Sequence, residues 1–214
     1  VYRERQNIKD MINNIKTRTE RKKEETQKKI VSIAMGLYRV QGIKATTMEQ
    51  IAEEVDISRK TLYNYFPNKE AIVGEYMKKY LQVHLQYYLQ LLDDLPDTSS
   101  RLVAIMSKGE EWSRMEIPED VATAYSEYRL RTLIQSLSDQ SIRSGLSDIY
   151  CYIIKLGQKS GELRSDINEK ELTNYLITIV MVSMLSNHEK VQSQESIAKN
   201  IDYFLNGARN MFSN

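Results

Sequence analysis

The chain has 214 residues, of which 41% are hydrophobic and 28% charged, with 8 glycines, 3 prolines and a formal net charge of +1. That is enough apolar material for a sizeable core in one or two domains, and so few breakers, with no sustained alternation of β-branched residues, argue for an all-helical fold. The single cysteine, Cys151, excludes an intramolecular disulfide and suits a reducing compartment.

Residues 1–23 form a basic extension. Ile8, Met11, Ile12 and Ile15 have amphipathic-helix spacing, and Lys16, Arg18, Arg21, Lys22 and Lys23 follow as a run of cations. Two readings stay open: a plain leader into the first core helix, or an arm that grips DNA phosphates or the minor groove. A helix is then predicted from about Glu24 to Gln41, with Ile30, Ala34, Leu37 and Tyr38 inward and Gly42 ending it.

The next stretch, Thr47 to Phe66, reads as two short helices joined by a tight turn. Met48, Ile51, Ala52 and Val55 share one face of the first helix, while Glu49, Gln50, Glu53 and Glu54 fall on the other. Thr47 is placed to cap it, and Gln50 three residues on can complete a capping box. Asp56 tolerates the left-handed backbone such a turn needs. Ser58 caps a second helix whose inward positions are Leu62 and Phe66. At 100° per residue, Lys60 and Asn64 then occupy the centre of its outward face, with Thr61 and Tyr63 beside them and Arg59 nearer the edge. Lysine and asparagine can address guanine and adenine edges, and hydroxyls can bind phosphates or base edges, so this face suits a duplex. An ordinary helical hairpin with a polar outer face is the alternative. Pro67 stops the helix, Asn68 caps the next, and Lys69 stands in that helix's first turn.

A long helix is expected from Lys69 to about Asp94, its Tyr76, Tyr80, His84, Tyr87 and Tyr88 turned toward the C-terminal part. Pro96 to Ser100 makes a break before a helix to about Ser113. Pro118, Glu119 and Asp120 mark a further start, with ends near Leu137 and, for the next helix, near Lys159. Tyr175 to Leu185 is apolar nearly all round, and Ile197, Ile201, Phe204, Leu205, Ala208 and Phe212 form a stripe on the last helix. Charge divides unevenly: residues 1–82 carry 17 Lys and Arg against 11 Asp and Glu, so the basic character lies in the half that holds the helix-turn-helix.

From about Lys29 to Met77 the sequence resembles the DNA-binding domain of TetR-family transcriptional regulators. The likeness rests on Gly42, Thr46-Thr47, Ile51-Ala52, Ile57-Ser58, Thr61-Leu62-Tyr63, Tyr65-Phe66 and Asn68-Lys69-Glu70, the Leu-Tyr-x-Tyr-Phe run followed by x-x-Lys-Glu being its most specific mark. Asp56 stands where the family often has Gly, and Lys60 where it often has Gly or Ala. The Gly157 to Asp166 stretch is similar to the loop before the last two helices of such regulators.

The resemblance implies a DNA-binding domain over 24–70 and a helical effector-binding and dimerisation domain over 71–214. It implies DNA contacts from Thr46, Thr47, Lys60, Thr61, Tyr63, Asn64, Tyr65 and Lys69, with Arg59 adding a cation at the edge. Thr47, Tyr63, Tyr65 and Lys69 are expected on phosphates, and Lys60, Thr61 and Asn64 on bases. It further implies a homodimer that pairs its last two helices with their copies, a purely internal core being the alternative. The implied partners are a near-palindromic double-stranded operator and a small-molecule effector; mobile Met and amphipathic Tyr suit an apolar or aromatic one. His84, Met106, Trp112, Tyr125, Tyr128, Cys151, Tyr152 and Met181 are its candidate lining, each equally readable as plain core.

The two histidines, His84 and His188, and Cys151 show no metal-ligand spacing. With no phosphate-cradling Gly loop or nucleophile elbow either, no metal, cofactor or catalytic site is expected. No secretory pattern opens the sequence, and its longest charge-free apolar region, Leu172 to Asn187, is interrupted by Thr and Ser and falls short of the ~20 mostly apolar residues a span requires. A cytoplasmic transcriptional regulator, acting as a repressor, is the expectation. A helical adaptor that works through a protein partner is the rival.

Overall fold

The computed structural model describes residues 17–138, 145–186 and 194–208. Among them run nine helices: α1 Arg18–Ala45, α2 Met48–Val55, α3 Arg59–Tyr65, α4 Lys69–Asp93, α5 Thr98–Glu116, α6 Glu119–Ser138, α7 Gly145–Ser160, α8 Glu169–Ser186 and α9 Gln194–Ala208. Ile8, Met11, Ile12, Ile15, Lys16, His188 and Phe212 lie outside the described residues, as do the side chains of Trp112 and Met181. No described helix is long and apolar enough to cross a membrane.

α1 starts six residues earlier than the sequence suggests. Thr17 and Glu20 form a complete capping box: the Glu20 N–H donates to Thr17 Oγ1 at 3.2 Å, and the Thr17 N–H donates to Glu20 Oε2 at 2.7 Å. The helix breaks at Gly42, whose φ of 82° and ψ of 158° lie where an L side chain is strained. Its buried face comprises Ile30, Val31, Ala34, Met35 and Tyr38, while Leu37, expected inside, is only partly covered.

Two apolar clusters organise the chain. The first joins that face of α1 to Met48, Ile51, Ala52 and Val55 of α2, Leu62 and Phe66 around α3, and Ile72 and Val73 of α4. Ile117 and Val121, at the start of α6, complete it. The second gathers Tyr88 and Leu92 of α4 with apolar residues of α5, α7, α8 and α9. α4 is therefore shared, and so is α6, which packs on α1 and α4 and also on α8.

The α9 stripe is used within one chain. Ile197, Ile201, Phe204, Leu205 and Ala208 are all buried in the second cluster, so they do not form the outward surface of the last two helices. What faces outward there includes Tyr175 on α8 and Tyr203 on α9. The aromatic row of α4 is likewise split rather than turned one way: Tyr88 is buried in the second cluster, Tyr76 packs on the first, and Tyr87 is half exposed.

Polar contacts fix the junction at the start of α5. The Thr98 N–H donates to Glu162 Oε2 at 2.7 Å, Ser160 Oγ donates to Glu162 Oε1 at 2.7 Å, and the Ser100 N–H donates to Asp97 Oδ1 at 2.7 Å. Arg101 reaches back to the carbonyls of Leu92 and Leu95, at 3.1 and 2.7 Å, which satisfies the otherwise open end of α4.

Candidate nucleic-acid interface

The interface is built from a short hinge of backbone geometry. Thr47 Oγ1 accepts the Gln50 N–H at 3.0 Å, capping α2 as its sequence suggests. The reciprocal half of the box is not made: the Gln50 amide pairs instead with that of Gln41, at 2.8 and 3.4 Å, tying α2 to the end of α1.

At the other end of α2, Asp56 adopts φ 61° and ψ 53°, the left-handed conformation anticipated for it. The Asp56 N–H donates to Glu53 O and the Ile57 N–H to Ala52 O, both at 3.0 Å, the bond pair of a Schellman stop. Lys29 of α1 contributes a further donor, its Nζ lying 2.8 Å from the Val55 carbonyl. The ammonium thereby neutralises the negative end of α2 and holds the turn at a fixed height on α1.

Ser58 Oγ accepts the Thr61 N–H at 3.0 Å and starts α3. Leu62 and Phe66 anchor the helix, at 0% and 4% exposure, and burying a leucine side chain contributes about 1.5–3 kcal/mol. Arg59, Lys60, Tyr63 and Asn64 are left on the exposed side. Lys60 and Asn64 stand one turn apart there with Tyr63 beside them, so one cation, one amide and one phenol point together into solvent. Arg59 lies 3.8 Å from Glu49 in an exposed pair, too weak to withhold its charge from a stronger anion. Thr61 is half buried, with its hydroxyl 2.8 Å from Ser58 Oγ, and Tyr65 is half buried against the head's core.

Two of the sequence-derived contact residues stand elsewhere. Thr46 is fully buried, and its hydroxyl donates to the Gly42 carbonyl at 2.8 Å, so that side chain closes the end of α1. Lys69 Nζ donates to the carbonyls of Ile43 at 2.5 Å and Thr46 at 2.8 Å. Two of its three protons thus cap the same end of α1, and its first effect is to position the loop that carries Thr47. Thr47 itself is exposed at the α2 N-terminus.

Sequence spacing could not reveal the head's connection to α6. Asp120 Oδ2 accepts the Ile43 N–H at 2.8 Å across 77 positions, and a Cβ on Gly42 would come within 2.8 Å of the same oxygen. Glycine here serves both its positive φ and the close approach of that carboxylate. Arg39 stacks over the Tyr76 ring at 5.9 Å and bonds its hydroxyl at 3.2 Å, joining α1 to α4 a little further out.

The candidate effector residues divide between the two clusters. Met106 is buried in the second, and Tyr152 packs on its edge. His84 stacks on Tyr80 with centroids 4.0 Å apart, its Nδ1 2.9 Å from the Tyr80 carbonyl, which can only accept. Cys151 and Tyr128 are half buried. Tyr125 sits apart from these, against the first cluster, where its ring would lie 3.4 Å from a Cβ on Gly74. Burial pushes its phenol above the ordinary tyrosine range. Tyr125 therefore belongs to the contact between α6 and α4. No group of three or more His, Cys, Asp or Glu placed to hold a metal occurs among the described residues.

An exposed polar helix, set by a left-handed turn on a compact three-helix head and carried by a separate helical core, defines a helix-turn-helix DNA-binding regulator. Residues 30–76 match the family model described as bacterial regulatory proteins, tetR family. Over 144 residues, 65% of this chain and 68% of the relative, the sequence is 24% identical to the HTH-type transcriptional repressor KstR2 of Rhodococcus jostii. The fold is similar to that of Thermus thermophilus FadR, a TetR-family transcriptional repressor solved with lauroyl-CoA, with a TM-score of 0.68, 23% identity and coverage of 88% of this chain and 98% of that one. It is also similar to RolR solved with resorcinol, with a TM-score of 0.65, 14% identity and coverage of 88% and 89%. Residues 30–76 thus carry a DNA-binding domain of the TetR type, and the chain is a DNA-binding transcriptional regulator. The adaptor alternative finds no support among these relatives.

Proposed function

We propose that this protein is an effector-responsive repressor that binds a near-palindromic operator as a homodimer in the cytoplasm. The observation that carries the proposal is the exposed Lys60, Tyr63 and Asn64 face above fully buried Leu62, because it offers base-reading groups on a rigidly seated helix. Lys60 and Asn64 address base edges; Tyr63, Thr47 and Arg59 hold flanking phosphates. Lys69, Thr46 and Tyr65 act one step back, by fixing the loop and helix that carry those groups.

Two heads are needed to span successive major grooves about 34–36 Å apart. The outward faces of α8 and α9, with Tyr175 and Tyr203 half or more exposed, are the surface assigned to the second copy. The effector is a small apolar or aromatic molecule taken up among the C-terminal helices near Met106 and Tyr152. FadR was solved with lauroyl-CoA and RolR with resorcinol, which supports an organic effector without naming it. For a coupling of ~1–3 kcal/mol, effector binding lowers operator affinity roughly 5- to 150-fold.

Retention of genomic fragments by the purified chain tests this directly. Specific, salt-sensitive retention of a short repeated motif is expected. Indifference to sequence at all salt concentrations would refute it.

A further inference from the structure

We propose that the first turns of α1 form a second DNA-contacting surface, which grips backbone phosphates beside the groove entered by α3; this rests on the DNA-binding function above. Residues 18–29 contain no apolar side chain, and the first buried position of the helix is Ile30. Residues 18–23 are all exposed, so at 1.5 Å per residue roughly 9 Å of α1 stands clear of the head. A helix with no apolar stripe gains little from packing. This one is held at its start by the Thr17 and Glu20 capping box instead.

Arg18, Arg21, Lys22 and Lys23 all lie exposed within the opening six residues, and none of their side chains has a hydrogen bond or ion pair among the described residues. The positive end of a helix is an unfavourable place for cations, so stability does not account for putting them there. Glu20, the acid among them, directs its carboxylate to the Thr17 N–H.

Their direction follows from the helical period. At 100° per residue, Arg18, Arg21, Lys22 and Lys29 fall within about 100° of one another, with exposed Glu25 as the opposing charge in that sector. Lys29 marks where the sector points, since its Nζ touches the Val55 carbonyl at the turn into α3. Lys22 and Arg18 are about 10 and 16 Å further along the axis. A row of cations thus begins next to the recognition helix and leads away from it, a spacing suited to successive phosphates flanking a half-site. Lys23 lies on the other side of the helix.

The full-length chain is compared with the R18Q/R21Q/K22Q variant on a selected operator fragment and on an unrelated duplex, over a range of salt. Each phosphate that is no longer neutralised should flatten the slope of log K against log salt by about 0.9, so three of them give about 2.7, with weaker binding to both duplexes and an unchanged ratio between them. The R18K/R21K variant, which keeps all three charges, should retain the slope of the unaltered chain, and K23Q should leave it unaltered. Glutamine keeps the helix, and the segment holds no core residue, so thermal unfolding should be unmoved. An unchanged slope in the triple glutamine variant, or an equal loss from K23Q alone, would overturn the inference and leave the α3 interface standing. Failure of the unaltered chain to bind any duplex would overturn both.

Discussion

Lys69 shows how one residue type serves two purposes that sequence cannot separate. A lysine in the first turn after a helix-turn-helix reads as a phosphate contact, yet its ammonium lies on the carbonyls of Ile43 and Thr46. Lys69→Met should cost about 2 kcal/mol of stability, the scale of losing charged hydrogen bonds to partly buried carbonyls, read in denaturant unfolding. Asn64→Ala should leave stability within about 0.5 kcal/mol and relax base preference at one operator position by roughly 1–3 kcal/mol. Equal stability losses from both would remove the distinction between a positioning and a reading residue. Asp56 allows a third test, since a left-handed backbone strains an L residue. Asp56→Gly should stabilise the head by up to about 1 kcal/mol, and a loss instead would show that the carboxylate has a role of its own.

At the scale of elements, what was legible was whatever local chemistry decides. The Ser58, Thr47 and Asn68 caps, the stop at Gly42 and the αL turn each depend on residues within one helical turn, and all of them stand as their sequence suggests. Of two misses at helix starts, one has longer reach and one is a local cap that the apolar pattern overshadowed. The Gln50 amide found Gln41 rather than its own cap because the end of α1 packs alongside, and α1 starts at Arg18 because Thr17 and Glu20, not an apolar face, begin it. The α9 stripe was legible as apolar but not as internal, because periodicity gives a face and not its neighbour. The start of α5 makes a prediction about pH. Burial raises the Glu162 carboxyl, but the Thr98 N–H and the Ser160 hydroxyl outweigh it and leave it lowered; Ser100 lowers Asp97. Carboxyls lowered in the folded state contribute stability above their unfolded pKa and lose it as pH falls through the folded one. The melting temperature should thus decline below about pH 4. Glu162→Gln should be less stable at pH 7 and show a shallower acid decline, whereas an unchanged acid limb would show that this junction does not contribute.

For the whole molecule, the division into a head over 24–70 and a core over 71–214 is a sequence expectation that packing crosses. Ile117, just before α6, and Val121 within it complete the head's own core, and Asp120 holds the Ile43 N–H. α4 joins the two parts along the chain, and α6 joins them through space, so movement among the C-terminal helices has two routes to the reading face. Asp120→Ala should leave an N–H unpaired at the end of α1 and cost about 1–3 kcal/mol. It should also shrink the effect of effector on operator affinity, whereas an unchanged effect would assign the transmission to α4 alone.

The central claim is that the exposed side of α3 reads DNA. Its most direct measurement compares the fragments selected from genomic DNA by the unaltered chain and by a K60A/N64A variant, with unfolding curves recorded for both. The unaltered chain should select a repeated motif and the variant should lose that selection while melting alike, because neither side chain supports the core. Selection of the same motif by both proteins at equal strength would contradict the account.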